Sequence, residues 1–243
     1  MVYNLKYSQF NECSILIEWP AVIDKIMLKD ILNFKNTIQK VYIKQKVEVI
    51  TTYNSILIIY ELTIENINDK FDVLKTLFLH KKQLEKTKSL IWEIRVCYDD
   101  EFGVDLENFS NQKKLSKYQI IKLHSEAIYT VFFIGFLPGF LYLGGLDSKL
   151  FLDRKTTPNL NVKKGSVAIG GEQTGIYPQD SPGGWHIIGN SPIELFSAKQ
   201  NPPCFIKAGD KVKFLPISKS EYKDIKVGIV QSTYQLKPII KNA

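Results

Sequence analysis

The apolar and polar positions in about the first hundred residues follow two different periods. Apolar residues at every second position predict a strand, and apolar residues every three or four positions predict an amphipathic helix. The predicted elements are two strands, a helix, two strands, a helix and a strand, at Tyr3–Tyr7, Ile15–Trp19, Ile23–Ile38, Val47–Tyr53, Ser55–Glu61, Ile67–Phe78 and Leu90–Tyr98. This ββαββα order is typical of a two-layer α+β domain, which we place at residues 1–99.

The remaining residues, 100–243, follow a different pattern. A capping box, Ser116-x-x-Gln119, predicts a short helix over residues 116–126. After Ala127 the helical period disappears, and short apolar segments alternate with Gly, Pro, Asn and Asp as far as a strand predicted at Val227–Val230. These segments predict an all-β barrel or sandwich as the second domain.

The glycines are concentrated in one part of the second domain. Of the 14 glycines, 11 lie between Gly135 and Gly189, and the first 102 residues contain none. Glycine permits backbone conformations and close approaches that other residues do not, at a cost in conformational entropy. The concentration therefore predicts tight turns in a β-structure, a binding surface, or both.

The charge and the composition of the chain indicate whether it binds nucleic acid. The net charge is +7, but only Arg95 and Arg154 are arginine and the other 30 basic residues are lysine. The lysines are spread along the chain, most densely at Lys81–Lys88 and Lys211–Lys226. Because readers of nucleic acid use arginine forks on bases and phosphates, we predict no nucleic-acid partner.

The sequence also lacks membrane and metal signals. It has no long apolar run that would span a bilayer, and the N-terminus lacks the pattern of a signal peptide, so we expect a cytoplasmic protein with no membrane partner. Cys13, Cys97 and Cys204 are far apart and have no metal-ligand spacing. They are predicted to be small apolar residues of the interior, and no metal site is predicted.

Motifs in the glycine-rich part carry a resemblance to a known family. They are Gly135-Phe136-x-Pro138-Gly139-Phe140-x-Tyr142-Leu143-Gly144, Gly165-Ser166-Val167-Ala168-Ile169, Gln173-Thr174-Gly175-Ile176-Tyr177-Pro178 and Ser181-Pro182-Gly183-Gly184-Trp185. Further matches, in the same order, extend from Tyr53 to Ile217. In these motifs the chain resembles the B subunits of 5-oxoprolinase, also called the allophanate hydrolase subunit 1 family, which includes an inhibitor of a sporulation histidine kinase.

The resemblance implies a fold and an activity. The implied fold is an α+β N-terminal domain followed by a cyclophilin-like β-barrel. The implied activity is the opening of 5-oxo-L-proline to L-glutamate, with ATP as co-substrate together with magnesium, and with two partner subunits of 5-oxoprolinase type. Two alternatives stay open: a regulatory protein that inhibits a histidine kinase, and prolyl isomerisation, which the barrel fold alone suggests.

Two residues are candidates for catalysis. Opening an amide requires donors for developing negative charge, a cation for anionic groups and a base for water. Arg154 is the candidate cation, because a guanidinium clamps a carboxylate or phosphate with two hydrogen bonds; the alternative is a structural salt bridge. His124 is the candidate general base, and the alternative is a capping or core histidine. His186 is given no role, and no GxxxxGK[ST] phosphate loop is present.

The motif block also supplies candidate binding residues. They are Phe136, Pro138, Phe140, Gln173, Tyr177, Ser181, Gly183, Gly184 and Trp185. Aromatic side chains would form the walls of a pocket, and backbone N–H groups near Gly183 and Gly184 would face an anion. The alternatives are core aromatics and tight turns of the barrel.

The chain departs from the family pattern at Asn54, where arginine is common, and at two positions of the motif block. Asn159 and Asn190 stand where the pattern favours arginine. The loss of these cations reduces the capacity to bind anions, which is consistent with an altered substrate or a regulatory role. Arg154 is the motif arginine that remains.

Overall fold

The computed structural model describes residues 3–43, 46–81 and 90–239. The chain divides into two compact units, residues 1–87 and 88–243. Within the described residues no helix is both long and apolar enough to cross a bilayer. Of the first lysine group, Lys81 is described and makes an ion pair with Asp30 at 3.2 Å, whereas the rest of Lys81–Lys88 lies outside the described residues.

The first unit contains a four-stranded antiparallel sheet in the order β1-β2-β4-β3 and two helices. Its elements are β1 Lys6–Asn11, β2 Ser14–Glu18, α1 Lys25–Val41, β3 Val47–Thr51, β4 Ser55–Tyr60 and α2 Ile67–Leu79. Alternate residues such as Ile15 and Ile17 of β2 are fully buried against the helices. The observed order ββαββα is the predicted one.

Helix boundaries in this unit are fixed by capping side chains. The Asp24 carboxylate accepts hydrogen bonds from the backbone N–H groups of Ile26 and Met27 at 2.9 and 2.8 Å. The Asn66 side chain does the same for Asn68 and Asp69. Such caps satisfy N–H groups that have no partner within the helix, so α1 begins at Lys25 rather than at the predicted Ile23.

The second unit contains a seven-stranded sheet in the order β12-β9-β10-β7-β6-β13-β5 and a two-stranded sheet, β11-β8. Its elements are β5 Ile91–Val96, α3 Leu106–Lys113, α4 Lys117–Glu126, β6 Ile128–Ile134, β7 Leu141–Gly144, β8 Asn159–Val162, β9 Ser166–Gly170, β10 Gln173–Ile176, β11 Ser181–Gly183, β12 His186–Asn190, β13 Lys211–Pro216 and α5 Lys219–Val230. A single antiparallel bridge joins Cys97, just after β5, to Asn190 of β12, so the edges of the larger sheet curl towards each other.

Three predictions for this unit are corrected. The strand Ile91–Val96, which we placed in the N-terminal domain, pairs in parallel with β13 in the second unit. The unit is not all-β, because its described residues include the three α-helices α3, α4 and α5. The strand predicted at Val227–Val230 is the end of helix α5, which a capping box between Ser218 and Glu221 begins.

The two faces of the larger sheet differ in what covers them. Because side chains alternate along a strand, Val167 and Ile169 of β9 face a core that also contains Leu106 of α3 and Ile120 of α4. We call this side the helical face. Ala168 points to the opposite side and belongs to a separate cluster that is rich in aromatic rings. This opposite side carries the motif residues.

Candidate functional site

Aromatic rings from the motif block meet on the side of the sheet opposite the helices. We call this surface the aromatic face and define it by Phe136, Phe140, Tyr142, Tyr177 and Trp185. The Phe140 ring lies at the centre, 5.1 Å from Tyr177 and 5.5 Å from Trp185, both edge to face. Such geometries are favourable because the edge of one ring is positive and the face of the next is negative.

Glycines of the motif block make room for these rings. A Cβ on Gly170 would lie 2.5 Å from the Trp185 indole. A Cβ on Gly183 would overlap the Tyr177 hydroxyl, and one on Gly175 would lie 3.0 Å from the Phe140 ring. The glycine concentration therefore shapes a surface as well as turns, in agreement with both predicted uses.

Phe136 and Pro138 lie on an exposed loop beside these rings. Phe136 is 61% exposed and has a φ of 67°, a left-handed conformation that is uncommon for a bulky residue. The loop is closed by the hydrogen bond from Gly135 N–H to Phe140 C=O at 3.2 Å. Backbone strain of this kind clusters at functional sites and holds an apolar ring at the edge of the aromatic face.

Arg154 lies above the Trp185 ring. Its guanidinium carbon is 5.7 Å from the ring centroid, and the side chain is exposed. Within the described residues it forms no ion pair with a carboxylate, so the structural salt bridge that we considered is absent from this part of the chain. A guanidinium over an aromatic ring keeps its N–H groups available for an anion.

Two tyrosines of the aromatic face are neutral. Burial raises the pKa of Tyr177 to about 12, although the Arg154 charge and a hydrogen bond from the Trp185 backbone N–H oppose this shift. Burial also raises the pKa of Tyr142, again against the Arg154 charge. Both side chains therefore retain the hydroxyl proton near neutral pH and carry no negative charge that would compete for Arg154.

The backbone on each side of Arg154 is fixed to the backbone or side chains around Trp185. The His186 Nε2–H donates to Asp153 C=O at 2.8 Å, and Lys155 N–H donates to Gly184 C=O at 2.8 Å. Arg154 is thus held opposite Trp185, as in an antiparallel pair. The buried His186, to which we gave no role, is therefore a positioning residue for Arg154.

An ion pair strengthens this attachment. The Lys155 ammonium lies 2.5 Å from Asp105 Oδ1, and both side chains are largely buried. Asp105 Oδ2 also accepts the Ile187 backbone N–H at 2.8 Å. One carboxylate therefore links the Arg154 segment to the beginning of β12. Sequence reasoning missed this contact, because about fifty and eighty residues separate the partners.

Gln173 contributes an acceptor to the aromatic face. It pairs with Gly170 across β9 and β10, so its side chain projects on the same side as the Trp185 indole that lies over Gly170. The Gln173 Oε1 atom is buried and has no hydrogen-bond partner within the described residues. Because leaving a buried carbonyl oxygen without a donor is unfavourable, this atom is suited to accept a hydrogen bond from a ligand.

The other predicted binding residues lie at the margin. Ser181 and Gly183 belong to β11, and the Ser181 hydroxyl donates to the neighbouring Pro182 C=O at 3.1 Å. Gly184 anchors the Arg154 segment through its carbonyl. The anion-binding role predicted for the backbone N–H groups near Gly183 and Gly184 stays a prediction.

His124 lies on the helical face and not with Arg154. The side chain is fully buried and stacks on Phe214 at 4.5 Å. Thr174 Oγ1 lies 2.9 Å from His124 Nε2. Because the Thr174 hydroxyl already donates its proton to Ala168 C=O, it must accept from His124, and we therefore assign the imidazole proton to Nε2. The Tyr98 hydroxyl then donates to Nδ1 at 2.8 Å. Both ring nitrogens are satisfied within the core.

Burial also decides the charge of His124. It lowers the pKa of this imidazole to about 3, so the ring is neutral near pH 7. The sheet separates it from the aromatic face, since Thr174 and its neighbours Gln173 and Gly175 point to opposite sides. The geometry therefore supports the alternative role of His124, a histidine of the core, and not the role of general base.

Comparison with known proteins shows which family the chain belongs to. The pattern of the carboxyltransferase domain, subdomain C and D, matches residues 5–206. The chain belongs to this family. The B subunit of 5-oxoprolinase from Bacillus subtilis (strain 168) is 46% identical over 132 residues, which are 54% of this chain and 55% of that protein. The corresponding protein of Escherichia coli O157:H7 is 39% identical over 170 residues, 70% of this chain and 78% of that protein. The family resemblance found in the motifs is confirmed.

Two of these matches cover only part of the length of the related protein. The chain spans about half the length of the first curated relative it matches, 55%. The crystal structure of the Kluyveromyces lactis urea amidolyase has a TM-score of 0.83 and covers 99% of this chain and 16% of that chain, at 17% identity. That likeness establishes the fold alone.

The two asparagines that replace expected arginines of the family have structural contacts. Asn190 is buried, donates to Lys164 C=O at 3.0 Å and accepts from the Tyr222 hydroxyl at 2.9 Å. Asn159 accepts the Asn161 backbone N–H at 2.9 Å at the start of β8. Asn190 thus connects α5 to β12, and both asparagine side chains have hydrogen-bond partners within the chain.

Proposed function

We propose that this chain is a cytoplasmic subunit of a 5-oxoprolinase-type complex that uses ATP and two partner subunits to open 5-oxo-L-proline to L-glutamate. Family membership and the names of the relatives, which are subunits of 5-oxoprolinase, support this proposal. We also propose that the chain is inactive without these partner subunits. The curled sheet and the family also support a cyclophilin-like architecture for the second unit.

The observation that carries the proposal is the pairing of an exposed guanidinium with an unpartnered acceptor on one aromatic surface. A 5-oxoproline molecule has a small flat ring, a carboxylate and a lactam N–H. Its carboxylate would bind Arg154 with two hydrogen bonds, its ring would pack on Trp185, and its N–H would donate to Gln173 Oε1. Each group of the ligand has one matching group on the aromatic face.

The chain's own part in the reaction is therefore to bind and orient the lactam. Fixing the carboxylate and the ring in one position lowers the entropy cost of the later chemical step. Tyr142 and Tyr177 belong to the same surface, and because their hydroxyls are neutral they do not repel the carboxylate of the ligand. With His124 in the core, the residues described here offer no general base at the aromatic face, and we assign the base to one of the partners.

ATP with magnesium does not fit this surface. A magnesium triphosphate is held by several cationic or N–H groups together with carboxylates on the metal. Among the described residues no three histidine, cysteine or acidic side chains form a cluster that could hold a metal ion. Arg154 alone matches a carboxylate rather than a triphosphate, so we assign no ATP contact to the aromatic face.

The proposal is tested by glutamate release in the assembled complex. The chain is co-expressed with its two partner subunits and supplied with ATP and 5-oxo-L-proline. We expect ATP-dependent glutamate release, and we expect Arg154→Lys to lower kcat/KM at least about tenfold, because lysine loses the bidentate contact. The matched control, Arg95→Lys, changes the other arginine and leaves activity unchanged.

Two results would contradict the proposal. One is the absence of glutamate release from a complex that assembles on size exclusion. The other is an equal effect of the Arg154 and Arg95 substitutions. Suppression of histidine-kinase autophosphorylation by the chain, without any glutamate release, would favour the regulatory alternative instead.

A further inference from the structure

A second cavity lies in the second unit, apart from the aromatic face. Its volume is about 990 Å³. Its lining consists of aromatic, apolar and amide side chains: Trp92, Ile193, Glu194, Gln200, Asn201, Pro202, Phe205, Ile229, Ser232, Tyr234, Gln235, Leu236, Lys237 and Pro238. We call it the C-terminal groove. It shares no residue with the aromatic face, and its volume falls in the range of small-molecule sites.

The floor of the groove is a fixed pair of aromatic rings. The Trp92 and Phe205 rings are 4.9 Å apart. The Trp92 indole N–H donates to the buried Asp210 Oδ2 at 3.0 Å, and Lys207 N–H donates to the same oxygen at 3.1 Å. The single donor of the indole is therefore used inside the protein. Trp92 is 6% exposed, so it supports the floor from below, and the half-buried Phe205 ring presents the larger apolar surface to the groove.

One wall of the groove is a strap that is attached at its ends. At one end Thr233 N–H and Tyr234 N–H both donate to Gly228 C=O, at 2.8 and 3.1 Å. At the other end Ile239 and Ile91 exchange two backbone hydrogen bonds, of 2.7 and 3.1 Å. The strap between them is part of the lining, so the shape of the groove is set by contacts that do not involve a ligand.

The charges at the groove are unbalanced. Glu194 forms a half-exposed ion pair with Lys164, whose ammonium lies 2.7 Å from Oε1, so these two charges balance each other. Lys237 is exposed at the groove and forms no ion pair within the described residues. The neutral amides of Gln200, Asn201 and Gln235 add donors and acceptors without adding charge. The net unpaired charge beside the aromatic floor is therefore positive.

We propose that the C-terminal groove is a binding site for a planar aromatic or heteroaromatic molecule that carries an anionic group. The ring packs against the apolar floor, on the Phe205 ring that Trp92 supports. The anionic group binds Lys237, and the amides of the walls bind polar substituents of the ring. This site is independent of Arg154 and of the lactam proposed to bind there.

The three tryptophan indoles provide separate reporters for a test. The Trp19 and Trp92 indole N–H groups are bonded to Asp30 and Asp210, and Trp185 lies on the aromatic face. The full chain is labelled with 15N-tryptophan and titrated with 2-naphthoate and, separately, with the neutral 2-naphthamide. We expect 2-naphthoate to shift the Trp92 signal and to leave the Trp19 and Trp185 signals in place.

Two lysine substitutions then separate charge from ring binding. We expect Lys237→Met to weaken 2-naphthoate binding about tenfold and to leave the weaker 2-naphthamide binding unchanged, as for the loss of one charge-assisted contact. The matched control, Lys226→Met on the exposed side of α5, leaves both affinities unchanged.

Three results would overturn the proposal. The first is no shift of the Trp92 signal at millimolar 2-naphthoate. The second is equal affinity for the acid and the amide in the unmodified chain. The third is a shift of the Trp185 signal that Arg154→Lys abolishes, because the probe would then occupy the aromatic face. None of these results bears on glutamate release, so this proposal and the proposed function can fail separately.

Discussion

The two faces of the seven-stranded sheet use polar groups in opposite ways. On the helical face, Tyr98, His124 and Thr174 form a buried chain of hydrogen bonds in which both imidazole nitrogens have a partner. On the aromatic face, Arg154 has no carboxylate within the described residues and Gln173 Oε1 has no donor. Satisfied polar groups stabilise a fold, whereas available polar groups beside an apolar surface define a place for a ligand. This difference is the reason why we propose the aromatic face as the place where a ligand binds.

The largest expected effect comes from filling the space under the Trp185 indole. Gly170→Ala places a Cβ 2.5 Å from the ring, which forces the Trp185 indole or the β9 backbone to shift. We expect a loss of about 3 kcal/mol in the free energy of unfolding, at the upper end of overpacking effects. Chemical denaturation measures it. The control Gly184→Ala, whose nearest added contact would be 3.6 Å, should change stability by less than about 1 kcal/mol.

The next effect concerns the helical face and pH. The pKa of His124 is lowered to about 3 in the folded state, from the ordinary 6.5, by burial. The unfolded chain therefore binds a proton first as the pH falls, and the stabilisation by neutral His124 is lost from about 6.5 downwards. Between about pH 7 and pH 5 we expect a loss of about 2 kcal/mol in the free energy of unfolding.

The matched variant for this pH effect is His124→Gln, which removes the titrating group and keeps polar atoms in the core. Its stability should fall less steeply with decreasing pH than that of the unmodified chain. Parallel pH dependences for the two proteins would mean that His124 does not carry the effect.

The smallest expected effect is on stability at the aromatic face. Gln173→Leu removes a buried acceptor that has no donor, so we expect the free energy of unfolding to rise by about 1 kcal/mol. The same change should weaken 5-oxo-L-proline binding, as measured by calorimetry. Gln179→Leu, at an exposed position, is the control for both measurements. A destabilised Gln173→Leu variant would indicate that the oxygen has a structural partner.

Local patterns predicted most elements and few of the contacts between them. The ββαββα order and the helix begun by Ser116 follow from periodicity and capping, which are properties of neighbouring residues. The parallel pairing of β5 with β13 joins segments about 120 residues apart, and no local pattern encodes it. Helix α5 had a readable capping box at Ser218, but the apolar end of the helix was interpreted as a strand.

The candidate site shows the same division. Arg154, Gln173 and Trp185 could be named from the motif block and from the scarcity of arginine. Their arrangement depends on Asp105 and His186, which reach the Arg154 segment from other parts of the chain. The prediction that His124 is a general base was wrong, because a short helix can direct a histidine to solvent or to the core. Only the position of the sheet decides between the two.

The central claim is that Arg154 and the ring of Trp185 bind a cyclic amide through its carboxylate. It is tested most directly by following the 15N-labelled Trp185 indole signal while 5-oxo-L-proline, or 2-pyrrolidinone without the carboxylate, is added. We predict that 5-oxo-L-proline shifts this signal but not those of Trp19 and Trp92, binds at least about tenfold more tightly than 2-pyrrolidinone, and loses that preference in Arg154→Lys. An unchanged Trp185 signal at saturating 5-oxo-L-proline, or equal affinity for the two lactams, would contradict the account.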